Sequence, residues 1–361
     1  MQGETVARLW GLLDVKINFA YKTFVWGSEA KIKAQVHCVI IGFATFSRKV
    51  KKLYTGDNYK IVDNINAYLC AAPDILIDSR NKPLCNVSKM VYGNKPADGG
   101  YLIIEDEDYN DFIKKEPQAK KYIRQLLGAI EYLHNKKRWC LWLKGVAPTE
   151  IKSCPLVYDR VKKCKETREG SKAAGIRKFA QTPTLFAQIT QPDNKDYIII
   201  PRTSSEKRRY VPMGFMTSET IVTDAVQIVP DASLYEFGVL ISNVHMSWMR
   251  AVCGRLKSDY RYSKDVVYNN FIWCEPTPEQ KAKIEQTAQG ILDARALYPD
   301  SDLAELYDEV LMPPELRRAH QLNDKAVMTA YGFTKDTEAY KSESACVAAL
   351  MKLYKEKVQG M

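Results

Sequence analysis

Apolar and polar residues alternate from Ile17 to Trp26 (INFAYKTFVW), the period of a half-buried strand. Residues 29–44 (EAKIKAQVHCVIIGFA) pass from a polar half into a continuous apolar run. That run predicts a strand buried on both faces, with His37 and Cys38 packed inside it. Ahead of both, Gln2–Leu13 has the spacing of a short amphipathic helix. Two strands alone cannot enclose a core. They read as the last strands of a sheet whose other members are missing from the chain or supplied in trans. Residues 48–60 (RKVKKLYTGDNYK) then read as a basic link.

From residue 61 to about 121 turn formers dominate, as in DSRNKPLCN and YGNKPADGG. GGYLII (99–104) predicts a strand. DEDYNDFIKKEP (106–117) opens a helix with acids in its first turn, where the helix dipole favours them. Residues 120–135 (KKYIRQLLGAIEYLHN) read as helical, and 137–146 (KRWCLWLKGV) alternate like a strand. Residues 155–179 read as one helix crowded with Arg160, Lys162, Lys163, Lys165, Arg168, Lys172, Arg177 and Lys178 against Glu166 and Glu169. Such an excess favours phosphate contact over a merely solvated face. DYIIIPRTSSEKRRYVPMGF (196–215) is a strand ending in a basic loop, with Gly214 and Phe215 closing a turn and filling the core. AVQIVP (225–230) and LYEFGVLIS (234–242) add strands, and VHMSWMRAVCGRL (244–256) has helical spacing with Trp248 inside.

After Trp273 the text becomes helical. Thr277–Gln280 (TPEQ) is a capping box with Pro278 at the first helical position, followed by an apolar stripe of Ile284, Ala288, Ile291 and Leu292. A second helix runs through 312–332 to a C-cap at Gly332, and a third occupies 337–358. The expected organisation is therefore α+β, with terminal strands in 1–50, a mixed α/β region in 51–274 and a small helical domain in 275–361.

Composition narrows the class. The 361 residues are 46% hydrophobic and 27% charged, ordinary for folded protein, and carry a formal net charge of +10. A basic balance leans toward polyanion partners. The nine cysteines include no CxxC pair, and the four histidines are scattered, so no metal site is expected. Scattered cysteines suit a reducing, cytoplasmic compartment. The longest apolar run is strand-sized, which argues against a membrane span. Neither GxGxxG nor GxxxxGK[ST] nor HExxH occurs. The residues alone point to a binding module.

One stretch carries most of that weight. CGRLKSDYRYSKDVVYNNF (253–271) mixes Arg255, Lys257, Arg261 and Lys264 with Tyr260, Tyr262, Tyr268 and Phe271. Charges do not suit a core strand and rings do not suit a solvated loop. The mixture suits a surface meeting a polyanion with flat rings. Tyr260 and Tyr262 share one face of a strand, where packing is at least as good a reading as base stacking.

Long strings of this chain resemble a known family. QGETVARLW with INFAYKTFVWGSEAKIKAQVHCVIIGF is similar to the end of the methyltransferase domain of single-chain type IIL, MmeI-like restriction–modification enzymes. LCNVSKMVYGNKPADGGYLIIEDEDY, YIIIPRTSSEKRRYVPMGF and MRAVCGRLKSDYRYSKDVVYNNFIWCEPTPEQ resemble its target-recognition domain. ILDARALYPDSDLAELYDEVLMPPELRRAH resembles its C-terminal helical domain. The resemblance implies that the complete enzyme transfers a methyl group from S-adenosylmethionine to the exocyclic nitrogen of adenine. It also implies a flipped target base, with double-stranded DNA as the partner. The family's glycine-rich cofactor motif and its Asn-Pro-Pro-aromatic motif are both absent; the one Pro-Pro, Pro313–Pro314, follows Met312. No cofactor and no catalytic residue are therefore expected in this chain. A truncated product, a fragment and a split subunit all fit that pattern.

Within the recognition reading, phosphate contacts set register and base-edge contacts set sequence. Arg250, Arg255, Lys257 and Arg261 rank first as DNA contacts. Arg202, Lys207, Arg208 and Arg209 follow, with Ser204 and Ser205 as phosphate donors. Two other readings stand beside this one. The first is a stand-alone specificity or assembly subunit, docking on a separate methyltransferase or on itself through exposed strands. The second is a complete enzyme with an unrecognised site.

Overall fold

The structure is a computed structural model that describes residues 3–26 and 36–360. Its N-terminal unit is helix α1 (Gly3–Leu12) against a sheet of β1 (Lys16–Trp26), β2 (Val36–Ala44), β3 (Lys51–Thr55) and β4 (Asn58–Val62). The strand order is β2-β1-β3-β4, with β1 and β3 parallel. The segment read as a basic link is thus a hairpin that extends the sheet. The polar half of the second expected strand, up to Gln35, lies outside the described residues. Its apolar half is β2, an edge strand, and not one buried on both faces. Ile40 and Phe43 are 43% and 59% exposed, His37 is exposed and Cys38 only half-buried. An apolar run reports hydrophobicity, not what covers it. The core beneath is small: Ile17, Ala20, Leu53 and Ile65, with Trp10 of α1 packed against them.

An irregular stretch leads to β5 (Val91–Tyr92), β6 (Ile103–Glu105), α2 (Asp106–Lys115), β7 (Ile123–Leu127), α3 (Ala129–Leu133) and β8 (Arg138–Leu141). Residues 120–135, expected as one helix, are interrupted by a strand: a 3-10 turn ends at Tyr122, β7 follows, and α-helix starts only at Ala129. Leu126 and Leu127 fill two separate cores on opposite sides of β7, which only a strand's alternation allows. Helix begins at Ala129, capped by Glu131 on the Gly128 amide.

Helices α4 (Pro148–Lys152), α5 (Pro155–Glu169) and α6 (Ala174–Arg177) follow. The single charged helix expected across 155–179 is therefore two. Two of its cations turn inward, while Lys162, Lys163, Lys165, Lys172, Arg177 and Lys178 stay exposed. Arg168 is fully buried and donates to the carbonyls of Pro96, Ala97, Phe179, Thr182 and Leu185 at 2.8–3.0 Å. Arg160 donates to the Tyr101 and Ile103 carbonyls, and Lys163 pairs with Asp159 at 2.8 Å.

Next come β9 (Tyr197–Pro201), β10 (Thr203–Ser204), β11 (Gly214–Met216), β12 (Ile221–Val222) and β13 (Val226–Pro230). Two four-stranded sheets result, β11-β9-β13-β5 and β12-β7-β8-β6. Gly214 and Phe215 start a strand and do not close a turn. The segment 234–242, expected as a strand, is helix α7 (Leu234–Ile241). Ser233 accepts from the Glu236 amide while Glu236 accepts from Ser233, a capping box that starts the helix despite its continuous apolar run.

Helix α8 (Asn243–Val252), the hairpin β14 (Gly254–Leu256) and β15 (Asp259–Arg261), and helices α9 (Pro278–Ala296), α10 (Leu303–Leu306), α11 (Pro314–Ala330), α12 (Glu338–Lys341) and α13 (Glu343–Gln359) complete the chain. The Thr277–Gln280 capping box and the Gly332 C-cap form as the sequence predicts, Gly332 with φ +73°. The third expected helix breaks at Ser342, which caps α13. The largest core does not stop at residue 275. It joins Val244, Trp248 and Phe271 to Ile284, Leu316, Leu350 and Tyr354. Gly238 permits this closeness, because a Cβ there would lie 2.7 Å from Ile284 of α9. The fold is α+β throughout. Among the described residues no helix is long and apolar enough to cross a membrane, and no cluster could hold a metal ion.

Candidate nucleic-acid interface

Two cation-rich segments, far apart in sequence, meet in one small sheet of order β10-β15-β14. Thr203 pairs with Arg261 and Ser204 with Tyr260; Gly254 pairs with Arg261, Arg255 with Tyr260 and Leu256 with Asp259. Facing residues project to the same side. Ser204, Tyr260 and Arg255 therefore share one face, and Thr203, Arg261 and Leu256 the other.

Tyr260 and Tyr262 are buried, so they pack the strand that carries the cations and are not stacking platforms. The Arg255 guanidinium lies 4.0 Å over the Tyr260 ring and donates to the Ser258 carbonyl at 2.8 Å, which braces the hairpin turn. Its outer nitrogen is 3.8 Å from Glu206. Lys257 occupies the turn with φ +56°, a left-handed conformation that costs a lysine about 1–2 kcal/mol. Arg261 is exposed, and its side chain has no hydrogen bond or ion pair among the described residues.

The second segment leaves β10 as a turn in which the Ser205 carbonyl accepts from the Arg208 amide and the Ser205 hydroxyl from the Lys207 amide. Lys207 and Arg209 are exposed, while Arg208 is half-buried and burial lowers its pKa. Arg209 is pushed up, first by the neighbouring Tyr210 phenol. Ser204 is buried. Its hydroxyl and the Arg202 Nε find no partner among the described residues. Arg202 otherwise donates to the Asp224 carbonyl at 2.7 Å and lies over Tyr92.

Arg250 differs from the rest. It grips Glu343 of α13 with two nitrogens at 2.7 and 3.0 Å, and donates to the Arg209 carbonyl at 2.9 Å. Next to it, the Tyr210 hydroxyl donates to Asp324 of α11 at 2.7 Å, and the Asn243 amide donates to the same carboxylate. Burial pushes Asp324 up to about 6. The helical region thus clamps the basic loop at both Arg209 and Tyr210. A cleft of about 480 Å³ separates them, lined by Arg208, Arg209, Arg250, Lys341, Glu309 and Glu343 among others. Sequence reasoning missed Glu343 and Asp324. They lie 93 and 114 residues from the groups they hold, and no local pattern marks either.

The surface offers positive charge on braced backbone, and burial pushes the thiol of Cys253 beside it up to about 11. The two fully buried histidines turn inward. His245 contacts the Tyr262 hydroxyl at 2.8 Å, and His320 the Tyr307 hydroxyl at 2.8 Å. Burial pushes His245 down to about 3 and lowers His320 as well.

Comparison with known proteins covers nearly the whole chain. Residues 1–55 match the family description "MmeI, DNA-methyltransferase domain", 71–275 match "MmeI, target recognition domain" and 276–361 match "MmeI, C-terminal domain". DNA methyltransferase A of Bacillus subtilis (strain 168) is 39% identical over 359 residues, which is 98% of this chain and 40% of that protein. The type IIL restriction–modification enzyme MmeI, solved in complex with DNA, superposes with a TM-score of 0.90 at 43% identity. That match covers 99% of this chain and 48% of the solved one. The chain therefore spans less than half the length of either relative.

Proposed function

The chain belongs to the MmeI family of restriction–modification proteins, and from that premise we propose that it reads double-stranded DNA for an adenine-N6 methyltransferase. The observation that carries the reading is the joining of two cationic segments in the β10-β15-β14 sheet. Lys257, Arg261, Lys207 and Arg209 are the outward cations and take the phosphate and base-edge contacts. Ser205 adds a hydroxyl beside them. Arg202, Ser204, Arg208, Arg250 and Arg255 are held by protein groups or burial, and act mainly by presenting the others. The relative solved with DNA supports DNA as the partner.

S-adenosylmethionine is the methyl donor of the complete enzyme in this reading, and it supplies the transferred group. This chain's residues do not fit it. The glycine-rich and Asn-Pro-Pro-aromatic motifs are absent from the sequence, and the cleft beside the basic loop presents mainly charged side chains to any adenosine ring. The chain holds duplex DNA in register while methyl transfer happens in a catalytic region it does not contain. The cytoplasm is the compartment this reading takes.

Filter binding or fluorescence anisotropy with duplex DNA across a salt series tests the proposal. Affinity should fall steeply, with a log–log slope of roughly one per phosphate neutralised. Replacing Lys257 and Arg261 with alanine should lower that slope by about two in total. Affinity indifferent to salt between low and physiological strength would overturn the reading.

A further inference from the structure

Beyond phosphate contact, we propose that Leu256 is a wedge that enters the duplex between two base pairs and unstacks them. The inference rests on the duplex-binding reading above and deepens it. Leu256 is 50% exposed in the last paired position before the Lys257–Ser258 turn. A half-exposed leucine at a hairpin tip wins nothing from the protein's own core. Its surroundings carry three cations against one acid, Asp259, its cross-strand partner. Arg255 and Lys257 flank it in the chain, and Arg261 shares its side of the hairpin. The tip is also braced. Arg255 bonds across the turn to the Ser258 carbonyl, and Tyr260 is buried beneath the Arg255 guanidinium. A narrow, stiff support with an apolar end and cations on its shoulders is the form of a groove-inserting wedge, in which phosphate contacts hold the side chain against the stack.

Two other exposed apolar pairs lack that combination. Val310 and Leu311, 89% and 65% exposed, sit beside Asp308 and Glu309, which repel phosphate. Ile40 and Phe43 lie within strand β2, on its two faces, and not at a tip. A wedge also suits the chemistry. A base that reacts outside the helix must first lose its stacking, and a side chain filling the gap lowers that cost.

The test uses the full chain and the duplex it selects from a random-sequence pool. That duplex is resynthesised with 2-aminopurine at each purine, or pyrrolocytosine at each cytosine, in turn. Binding should brighten one position severalfold. Leu256→Ala should abolish most of that rise while keeping the salt slope and the far-UV circular dichroism spectrum of the wild type, and Leu256→Met should restore it. Retention of the rise in Leu256→Ala would overturn the proposal. So would duplex binding with no brightened position, an outcome that leaves the recognition reading standing. A Leu256→Ala effect confined to self-association by light scattering would also overturn it. Failure to select any duplex would instead remove the recognition reading itself.

Discussion

The N-terminal sheet and the body that follows spend their apolar residues in opposite ways. In the body, Trp248, Phe271, Ile284, Leu350 and Tyr354 share one core that spans sheet, hairpin support and C-terminal helices. In the N-terminal sheet α1 covers a core of only Ile17, Ala20, Leu53 and Ile65, with Phe43 at its edge against Trp10, while Trp26, Ile40 and Ile61 are exposed. Similar hydrophobicity per residue thus yields a rigid platform in one region and an uncovered, one-sided sheet in the other. Burial, not composition, decides which region can hold a surface in place. The cationic sheet stands on the region that is packed.

That contrast can be broken by measurement. The largest effect should come from Trp248→Ala, which empties a fully buried site and removes the indole bond to the Val267 carbonyl. Urea unfolding should show a loss of about 4 kcal/mol. A loss below about 1 kcal/mol would mean that the shared core is not the stabilising unit.

Acid comes second. His245 and His320 are buried neutral, so their folded-state pKa values lie below those of the unfolded chain. The unfolded state then binds more protons below pH 6.5, and stability falls with falling pH. Asp324, pushed up to about 6, has the opposite sign. It binds its proton more readily when folded, and returns stability between about pH 6 and 4. Two histidines outweigh one carboxyl, and the expected net loss between pH 6.5 and 5 is about 2 kcal/mol. All three groups lie in the body, so amide protection factors, corrected for the slower intrinsic exchange at lower pH, should fall in β9, β13 and α8 on acidification. Unchanged stability across that window would contradict the assignment.

The smallest effect is expected on the sheet. Ile61→Thr keeps a β-branched residue in β4 and removes only a side chain that is 66% exposed. Its stability should stay within about 0.5 kcal/mol of wild type. A larger loss would show that this face is covered in solution, and would bring the two regions closer in kind.

Much of this was legible from residues alone. Alternation found β1, helical spacing found α8, and TPEQ found the start of α9. Where reading failed, the cause was physical. β7 was mistaken for helix because Leu126 and Leu127 serve two different cores, which no local period reveals. α7 was mistaken for strand because its apolar run hid Ser233 and Glu236, a capping signal present in the text. The cations of the candidate surface were legible as residue types but not in their partners. Arg168 looked like a phosphate contact and serves buried carbonyls, and Arg250 ranked among the first DNA contacts although its fork is already closed on Glu343. Hydrophobic periodicity carries which side chains turn inward. It carries nothing about which distant acid will meet which arginine.

The core that runs through residue 275 has a consequence for inheritance. Asn323 bonds the Gly238 carbonyl at 2.8 Å, and Glu343 holds Arg250, so the recognition region and the helices behind it have been fitted to each other side chain by side chain. Recombination that exchanged one without the other would join mismatched halves. An exchange of either region that preserves these bonds has to carry Gly238 together with Asn323, and Arg250 together with Glu343.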